Sequence, residues 1–211
     1  MIVKGRVEEI PYKEAVDFLM PKHYSGRKPQ ITKAFGLYSA NRLVAVCTFG
    51  KPASPFLCSG ICGKEYSSQV YELNRLCRVD DWTEPLSAFV SACLRRLRPL
   101  NWIVVSFSDT GMHHHGYIYQ ACNFIYTGCT KERTDKYTSG RHARHYTDDM
   151  QGKYRQVRTA KHRYVFFRTK SRRLKSYWKE SLKYTPCEYP KGDNQNYTLG
   201  EYMKPILVEL R

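Results

Sequence analysis

The chain has 211 residues, of which 42% are hydrophobic, and a formal net charge of +16. This length suits one domain, or one domain with an extension. The sequence has no run of about 18 apolar residues, so we expect no membrane span. Acidic residues near the start argue against a secretory signal peptide. The eight cysteines are sparse and several lie in apolar runs, which favours a reduced cytoplasmic protein.

The pattern of apolar residues predicts secondary-structure elements along most of the chain. A stretch rich in proline, glycine and serine, residues 51–66, is predicted to be a loop or an irregular edge. The elements expected in chain order are a helix over 11–20, a β-hairpin over 34–50, a strand over 70–80, a helix over 83–98, a strand over 102–108, a helix over 113–123 and a strand over 124–130.

Over residues 34–130, strands and helices alternate, which predicts an α/β (α+β) fold with a central mixed sheet and crossover helices. After residue 130 the composition becomes polar and basic. We therefore expect residues 1–130 to form the core and residues 131–211 to form a C-terminal extension rather than a second packed domain.

A basic tract marks this extension. Between Arg155 and Lys183 the chain has eleven lysines or arginines and one acidic residue, with aromatic residues interleaved. Cations that neutralise phosphates and rings that stack on bases are typical of a nucleic-acid surface. The candidate nucleic-acid-binding residues are Arg155, Arg158, Lys161, Arg163, Arg168, Lys170, Arg172, Arg173 and Lys175.

Polar residues at the ends of predicted strands are candidates for a site. Asp109 follows a buried strand, so it either caps the next helix or lies at the carboxyl end of the sheet as a catalytic carboxylate. Glu72 and Arg75 fall in a predicted central strand, where they either line a pocket or lie on an exposed face. Consecutive helical residues point about 100° apart, so at most one histidine of 113–115 is expected at the site.

Three stretches resemble one family in the same order: "HYSGRKPQITKAFGLY" (23–38), "VYELNRLCRVDD" (70–81) and "SFSDTGMHHHGYIYQACNFIYTG" (106–128). They resemble the Mom family of Mu-like bacteriophage DNA-modification proteins, and the element order is similar to the GNAT acyltransferase fold. The resemblance implies a transferase that converts adenine in double-stranded phage DNA to N6-carbamoylmethyl-adenine. The product would protect phage DNA from host restriction, and the enzyme would act in the host cytoplasm.

The resemblance also implies roles for single residues. Asp109 becomes a general base on adenine N6. Tyr119, otherwise a core residue, becomes a hydrogen-bond donor to the substrate. His23, otherwise a solvated loop residue, becomes a site residue that with Asp109 would form half of an iron- or zinc-type site. The flipped-out adenine would stack on an aromatic side chain, for which the candidates are Tyr24, Phe35, Tyr66 and Trp82.

The sequence leaves two classes of molecule as possible donors of the transferred group. GNAT enzymes use acetyl-CoA and hold its pyrophosphate on a glycine-rich turn, but residues 77–87 contain no glycine, two aspartates and a glutamate. The transferred unit resembles glycine, so a glycyl donor such as glycyl-tRNA is the alternative. Two rival functions are a GNAT-like acyltransferase acting on tRNA or protein and a non-enzymatic basic DNA-binding protein.

Overall fold

A mixed seven-stranded sheet forms the centre of the protein in a computed structural model, which describes residues 3–137, 154–193, 198–201 and 204–209. Its strands are β1 (Arg6–Glu9), β2 (Lys33–Ser39), β3 (Arg42–Gly50), β4 (Val70–Arg78), β5 (Trp102–Asp109), β6 (Ile125–Cys129) and, later in the chain, β9 (Lys161–Arg168). A separate three-stranded sheet consists of β7 (Arg133–Lys136), β8 (Tyr154–Arg158) and β10 (Leu207–Glu209).

The strands of the large sheet follow the order β1-β2-β3-β4-β5-β9-β6. All neighbours are antiparallel except β4 and β5, which are parallel and joined by a helix. The predicted α+β class and the GNAT-like order of hairpin, strand, helix, strand, helix and strand are confirmed. In the small sheet, β8 lies between β10 and β7.

Five helices accompany the sheets: α1 (Tyr12–Leu19), α2 (Pro55–Cys62), α3 (Leu86–Arg96), α4 (Tyr117–Ala121) and α5 (Arg172–Glu180). The prediction of a loop over 51–66 is wrong, because α2 lies within it. Pro55 is the first residue of this helix, where the missing N–H of proline breaks no hydrogen bond. The side chains of Ile61 and Cys62 on the inner face of the helix are buried. Within the described ranges, none of the helices has the length and apolar character needed to span a bilayer.

The sheet separates two clusters of buried side chains. On one face Phe89 of α3 packs with Val104, and on the other face Ile61 of α2 and Trp178 of α5 pack with Val105. Because successive residues of a strand point to opposite faces, Val104 and Val105 assign these clusters to opposite sides of the sheet. Helices α3 and α5 therefore cover different faces.

Strand β9 lies inside the sheet, although it comes after the expected boundary at residue 130. It pairs with β5 along its whole length, from Asp109↔Lys161 to Trp102↔Arg168. In addition, Trp178 is fully buried in the core. Part of the segment expected as an extension therefore completes the core, because the apolar residues between the charged ends of β9 are buried in the sheet.

The chain between β5 and β6 departs from the predicted helix over 113–123. A 3-10 turn spans residues 110–112, and His113 and Gly116 adopt left-handed backbone angles, with φ of 52° and 73°. A left-handed residue ends a helix, so the α-helical part is limited to α4. Position 116 requires glycine, since a Cβ there would lie 2.5 Å from the ring of Tyr164.

Strands β4 and β5 are not hydrogen-bonded to each other near their carboxyl ends. Their pairing runs from Val70↔Ile103 to Leu73↔Ser106, whereas β4 continues to Arg78 and β5 to Asp109. The backbone groups beyond these pairs diverge, which opens a cleft between the two strands. The carboxyl edge of a sheet is a common place for a binding site in α/β proteins.

Candidate active site

A cavity of about 560 Å³ occupies this cleft. Its walls come from β4, the end of β5, the loop after α1, the residues around α4, and β8 of the small sheet. The five predicted catalytic residues all line it: His23, Glu72, Arg75, Asp109 and Tyr119. Residues from four separate parts of the chain thus meet at one place.

Asp109 ends β5 and is only 4% exposed. Its Oδ1 accepts hydrogen bonds from the backbone N–H of Gly111 (3.0 Å) and the hydroxyl of Thr159 (2.5 Å). Its Oδ2 accepts a hydrogen bond from the ammonium of Lys161. Asp109 therefore caps the short turn 110–112, rather than the predicted helix, while its carboxylate also lies in the cavity wall.

His23 is a buried residue, not a solvated one, with 8% of its surface exposed. Its Nδ1 accepts a hydrogen bond from the backbone N–H of Ser25 (3.2 Å), which assigns the ring proton to Nε2. Burial, followed by the nearby charges of Arg75, His114 and Lys161, lowers the pKa of His23 to about 3. The ring is therefore neutral at physiological pH.

Tyr24 stacks on His23, with ring centroids 4.5 Å apart. Burial and the carboxylate of Asp109 raise the pKa of Tyr24 to about 12, so its hydroxyl stays protonated. Among the four predicted stacking partners, Tyr24 alone lines the cavity in the described part of the chain. Phe35 is buried in the core, whereas Tyr66 and Trp82 pack against the hydrophobic clusters.

Glu72 and Arg75 lie on β4 and form part of the cavity wall, which fits the pocket-lining hypothesis rather than the exposed one. Burial raises the pKa of the Glu72 carboxyl, while the charges of Arg75 and Lys161 oppose the change. The guanidinium of Arg75 donates to the carbonyl of Arg27 (3.3 Å), which ties the loop after α1 to β4.

Tyr119 projects from α4 into the base of the cavity. Burial raises the pKa of its hydroxyl far above the usual value, and a hydrogen bond with Ser106 opposes this effect. The hydroxyl of Ser106 donates to the carbonyl of Leu73 (2.9 Å). The contacts of Tyr119 with Phe124 and Tyr164 are those of a core residue, so its role as a donor to substrate stays a prediction.

Of the three consecutive histidines, His114 lines the cavity, as expected for at most one of them. Its backbone N–H donates to the carbonyl of Asp109 (3.1 Å), and its ring lies at an edge-on angle to Tyr24. His113 is exposed, and His115 lies beside His162, with ring centroids 5.7 Å apart.

The donor atoms do not fit the predicted metal site. Nδ1 of His23 accepts a hydrogen bond from Ser25, and one oxygen of Asp109 is held by Lys161. Among the residues that the structure describes, no group of three or more His, Cys, Asp or Glu is arranged to hold a metal ion. The iron site with His23 and Asp109 stays a prediction, and the chemistry below involves no metal.

The turn before α3 does not fit the pyrophosphate of acetyl-CoA. The cap position of α3 is Pro85, and its side chain makes no capping hydrogen bond. Asp80 lines the cavity close to this turn, and Asp81 and Glu84 add two further carboxylates. Anions bind helix starts through free N–H groups, so this turn favours a donor other than CoA.

The predicted nucleic-acid-binding residues fall into two groups. Near the cavity, Arg158 and Lys161 line its wall, and the guanidinium of Arg158 donates to Asp135 (2.8 Å). Arg155 donates to Thr134 (2.7 Å). Arg163 lies over the ring of Tyr184, with 3.3 Å between its guanidinium carbon and the ring centroid.

The second group lies at the opposite end of β9. Its members are Arg168, Lys170, Arg172, Arg173 and Lys175. Seven steps along β9, each about 3.3 Å, separate Lys161 from Arg168, so about 23 Å lie between the two groups. The basic tract is therefore not one continuous surface.

Two residues that hold Asp109 were not recognised from the sequence as site residues. The sequence indicates Lys161 only as a phosphate-binding residue, and it indicates no function for Thr159. Both are next to Asp109 because β9 pairs with β5 in the register Asp109↔Lys161. No local pattern in the sequence indicates which strand lies beside β5, so this signal could not be found there.

Comparisons with known proteins give several similar structures and one family. Similar solved structures include an acetyltransferase from Bacillus subtilis in complex with CoA, with 13% identity over 78% of this chain and 99% of that chain and a TM-score of 0.43. Another is an N-acetyltransferase from Staphylococcus aureus, with 10% identity over 78% of this chain and 98% of that chain and a TM-score of 0.46. Among curated proteins, none matches the sequence. The model of the Mom protein family matches residues 4–191, and the chain therefore belongs to the Mom protein family.

Proposed function

We propose that this protein converts adenine in double-stranded phage DNA to N6-carbamoylmethyl-adenine and so protects that DNA from host restriction. Membership of the Mom family supports this function. The observation that carries it is the convergence of five predicted catalytic residues on one cavity. A purely DNA-binding protein has no need of a buried carboxylate and a neutral histidine in one cleft.

Adenine must leave the duplex to reach the cavity, because its N6 is hidden within the base stack. Tyr24 is the aromatic side chain that lines the cavity beside Asp109, and its ring offers a surface for the flipped base. The volume of about 560 Å³ accommodates a nucleobase together with a small donor group.

Asp109 is the proposed general base. N6 loses a proton as its bond to the donor carbon forms and the bond between that carbon and the carrier of the donor breaks, which releases the carrier. A carboxylate in the cavity wall can accept the proton. Thr159 and Lys161 hold the carboxylate in place through the hydrogen bonds described above. The neutral His23 and the charged Arg75 then position the base or the donor.

A glycyl donor fits the site better than acetyl-CoA. The acidic turn before α3 opposes a pyrophosphate, and the carbamoylmethyl group is an isomer of the glycyl group. Glycyl transfer to N6, with release of the tRNA hydroxyl, therefore requires a subsequent rearrangement that exchanges the positions of the methylene and carbonyl carbons. Purified protein incubated with DNA and either glycyl-tRNA or acetyl-CoA separates the two donors. Modified deoxyadenosine that forms with acetyl-CoA alone would contradict the glycyl donor.

Mass spectrometry of nucleosides tests the function. DNA from bacterial cells that express the protein should contain a deoxyadenosine that is heavier by one carbamoylmethyl group. The Asp109→Asn variant is the matched control, since asparagine keeps an oxygen for Gly111 and Thr159 but lacks the base. We expect its yield to fall by about 100-fold or more, the range of general-base catalysis, with DNA affinity unchanged. Unmodified deoxyadenosine in every wild-type digest would refute the enzymatic function.

A further inference from the structure

A second basic surface lies at the far end of the sheet from the cavity. We call it the far-edge patch and define it by seven cations: Arg95, Arg98, Arg168, Lys170, Arg172, Arg173 and Lys175. They belong to the end of α3, the turn before β5, the end of β9 and the start of α5. Apart from the half-buried Arg168, these residues are exposed.

Two contacts hold the parts of the patch together. The hydroxyl of Thr169 donates to the side chain of Asn101 (2.6 Å), which joins the turn after β9 to the turn before β5. Arg168 pairs with Trp102 across the strands. Burial lowers the pKa of the Arg168 guanidinium, and the like charges of Arg98 and Arg95 lower it further.

Acidic residues do not balance these charges. Residues 95–101 and 168–175 contain no aspartate or glutamate. Within the described part of the chain, none of the seven cations forms an ion pair. Three of them also lie in the first turn of α5, where the helix dipole disfavours positive charge. Such an arrangement is unfavourable in the free protein and becomes favourable beside a polyanion.

The position and the side chains of the patch indicate which polyanion it suits. A donor must deliver its reactive group to the cavity, but the patch lies about 23 Å away at the other end of β9. Single strands need several exposed rings for stacking, whereas Trp178 of α5 is buried and the exposed ring of Tyr177 is held by Arg173, whose Nε donates to the Tyr177 hydroxyl (2.9 Å). A dense positive charge with so little stacking surface fits the backbone of a duplex.

We infer that the far-edge patch binds a second segment of duplex DNA while the cavity edge holds the segment that is modified. This inference relies on the proposed function for the identity of the polyanion. One molecule would thus contact two stretches of DNA and stay near its substrate after each release. Binding there would be independent of sequence, because the contacts are to phosphates.

A capture assay tests the inference. Protein is bound to a biotinylated duplex on beads, and the retention of a second, fluorescent duplex is measured. We compare the wild type with a triple variant, R98E/R172E/R173E, and with a control that reverses three exposed lysines elsewhere, K13E/K64E/K183E. Glutamate at the start of α5 suits the helix dipole, so the patch variant should fold, and circular dichroism checks this.

We expect the patch variant to retain at least about 10-fold less fluorescent duplex than the wild type, and to flatten the slope of log K against log salt by about 2 to 3. The control should behave as the wild type in both measurements. Equal retention by the patch variant and the wild type would overturn the inference, as would displacement of the second duplex by tRNA at far lower concentration than by DNA. Nucleoside analysis of the same proteins separates this result from the proposed function, because wild-type protein that modifies DNA but captures no second duplex refutes only the patch.

Discussion

At the scale of single residues, Asp109 shows how one side chain satisfies two hypotheses. Its Oδ1 holds the turn after β5, and its Oδ2 meets Lys161 in the cavity wall. A cap and a site residue were alternatives in the sequence, but the carboxylate has two oxygens and four acceptor positions. The partner of the second oxygen, Lys161, comes from β9, about fifty residues later in the chain.

His23 makes the stability of the protein depend on pH. Its pKa in the folded state is about 3, whereas an unfolded histidine titrates near 6.5. A depressed folded pKa gives stability that is present above the unfolded pKa and is lost as the pH falls toward the folded one. Between pH 7 and pH 5, this group alone should lower the free energy of unfolding by about 2 kcal/mol.

Urea denaturation at pH 7 and pH 5 measures this loss for the wild type and for His23→Asn. Asparagine offers an oxygen near the position of Nδ1 for the Ser25 N–H but does not titrate. The variant should lose less stability than the wild type over the same interval. Equal losses would show that His23 titrates normally and that the loop after α1 is open to water.

At the scale of elements, the local patterns were sufficient for most of the sheet. The hairpin of β2 and β3, strands β4, β5 and β6, and helices α1 and α3 all appear where periodicity predicts them. Helix α2 was missed because its stabilisation comes from packing against Trp178 and not from its own composition. The shortening of the predicted helix over 113–123 depends on the position of Tyr164, a residue of β9, and no local signal in that stretch reveals it.

The left-handed glycine before α4 allows a test at this scale. Gly116→Ala places a Cβ 2.5 Å from the Tyr164 ring, in a backbone conformation with φ of 73°. Gly128→Ala is a matched control, because its φ of 81° is close to that of Gly116 but the nearest atom, Sγ of Cys187, lies 3.9 Å away. Both variants carry backbone strain, and only Gly116→Ala adds the clash.

Thermal unfolding should therefore show Gly116→Ala as the less stable variant, by about 1 to 3 kcal/mol beyond Gly128→Ala. DNA modification should decrease in Gly116→Ala as well, since His114 and Tyr119 flank this residue and line the cavity. Melting temperatures that fall equally in both variants would show that the loop moves aside at no cost.

At the scale of the whole molecule, the order of the strands determines which parts of the chain can fold alone. A fragment that ends at residue 130 keeps β1 to β6 but lacks β9, which lies between β5 and β6. It also lacks the fully buried Trp178. We expect this fragment to show no cooperative unfolding transition in urea, whereas the full chain shows one. A cooperative transition in the fragment would establish residues 1–130 as an independent domain.

The class of the fold could be predicted because hydrophobic periodicity and element order are local properties. The convergence of the site could be predicted only in part. Glu72, Arg75 and Asp109 lie at strand positions that the sequence reveals, while Lys161 and Thr159 reach the cavity through a strand pairing that it does not. The positive charge of the basic tract indicates an exposed surface. The few apolar residues of β9 within that tract are therefore not recognisable from the sequence as part of the core.

Strand β9 is translated after the two strands that it pairs with, so the sheet cannot be completed until β9 has left the ribosome. Thirty-one residues lie between the end of β6 and the start of β9, and a ribosome needs about 2 to 6 s to add them. During that interval the nascent chain exposes one edge of β5, the central parallel strand, with its N–H and C=O groups unpaired. Such an edge invites pairing with other chains. The protein thus depends on prompt completion of its own translation, and slow translation of residues 130–160 would increase aggregation without any change in its amino-acid sequence.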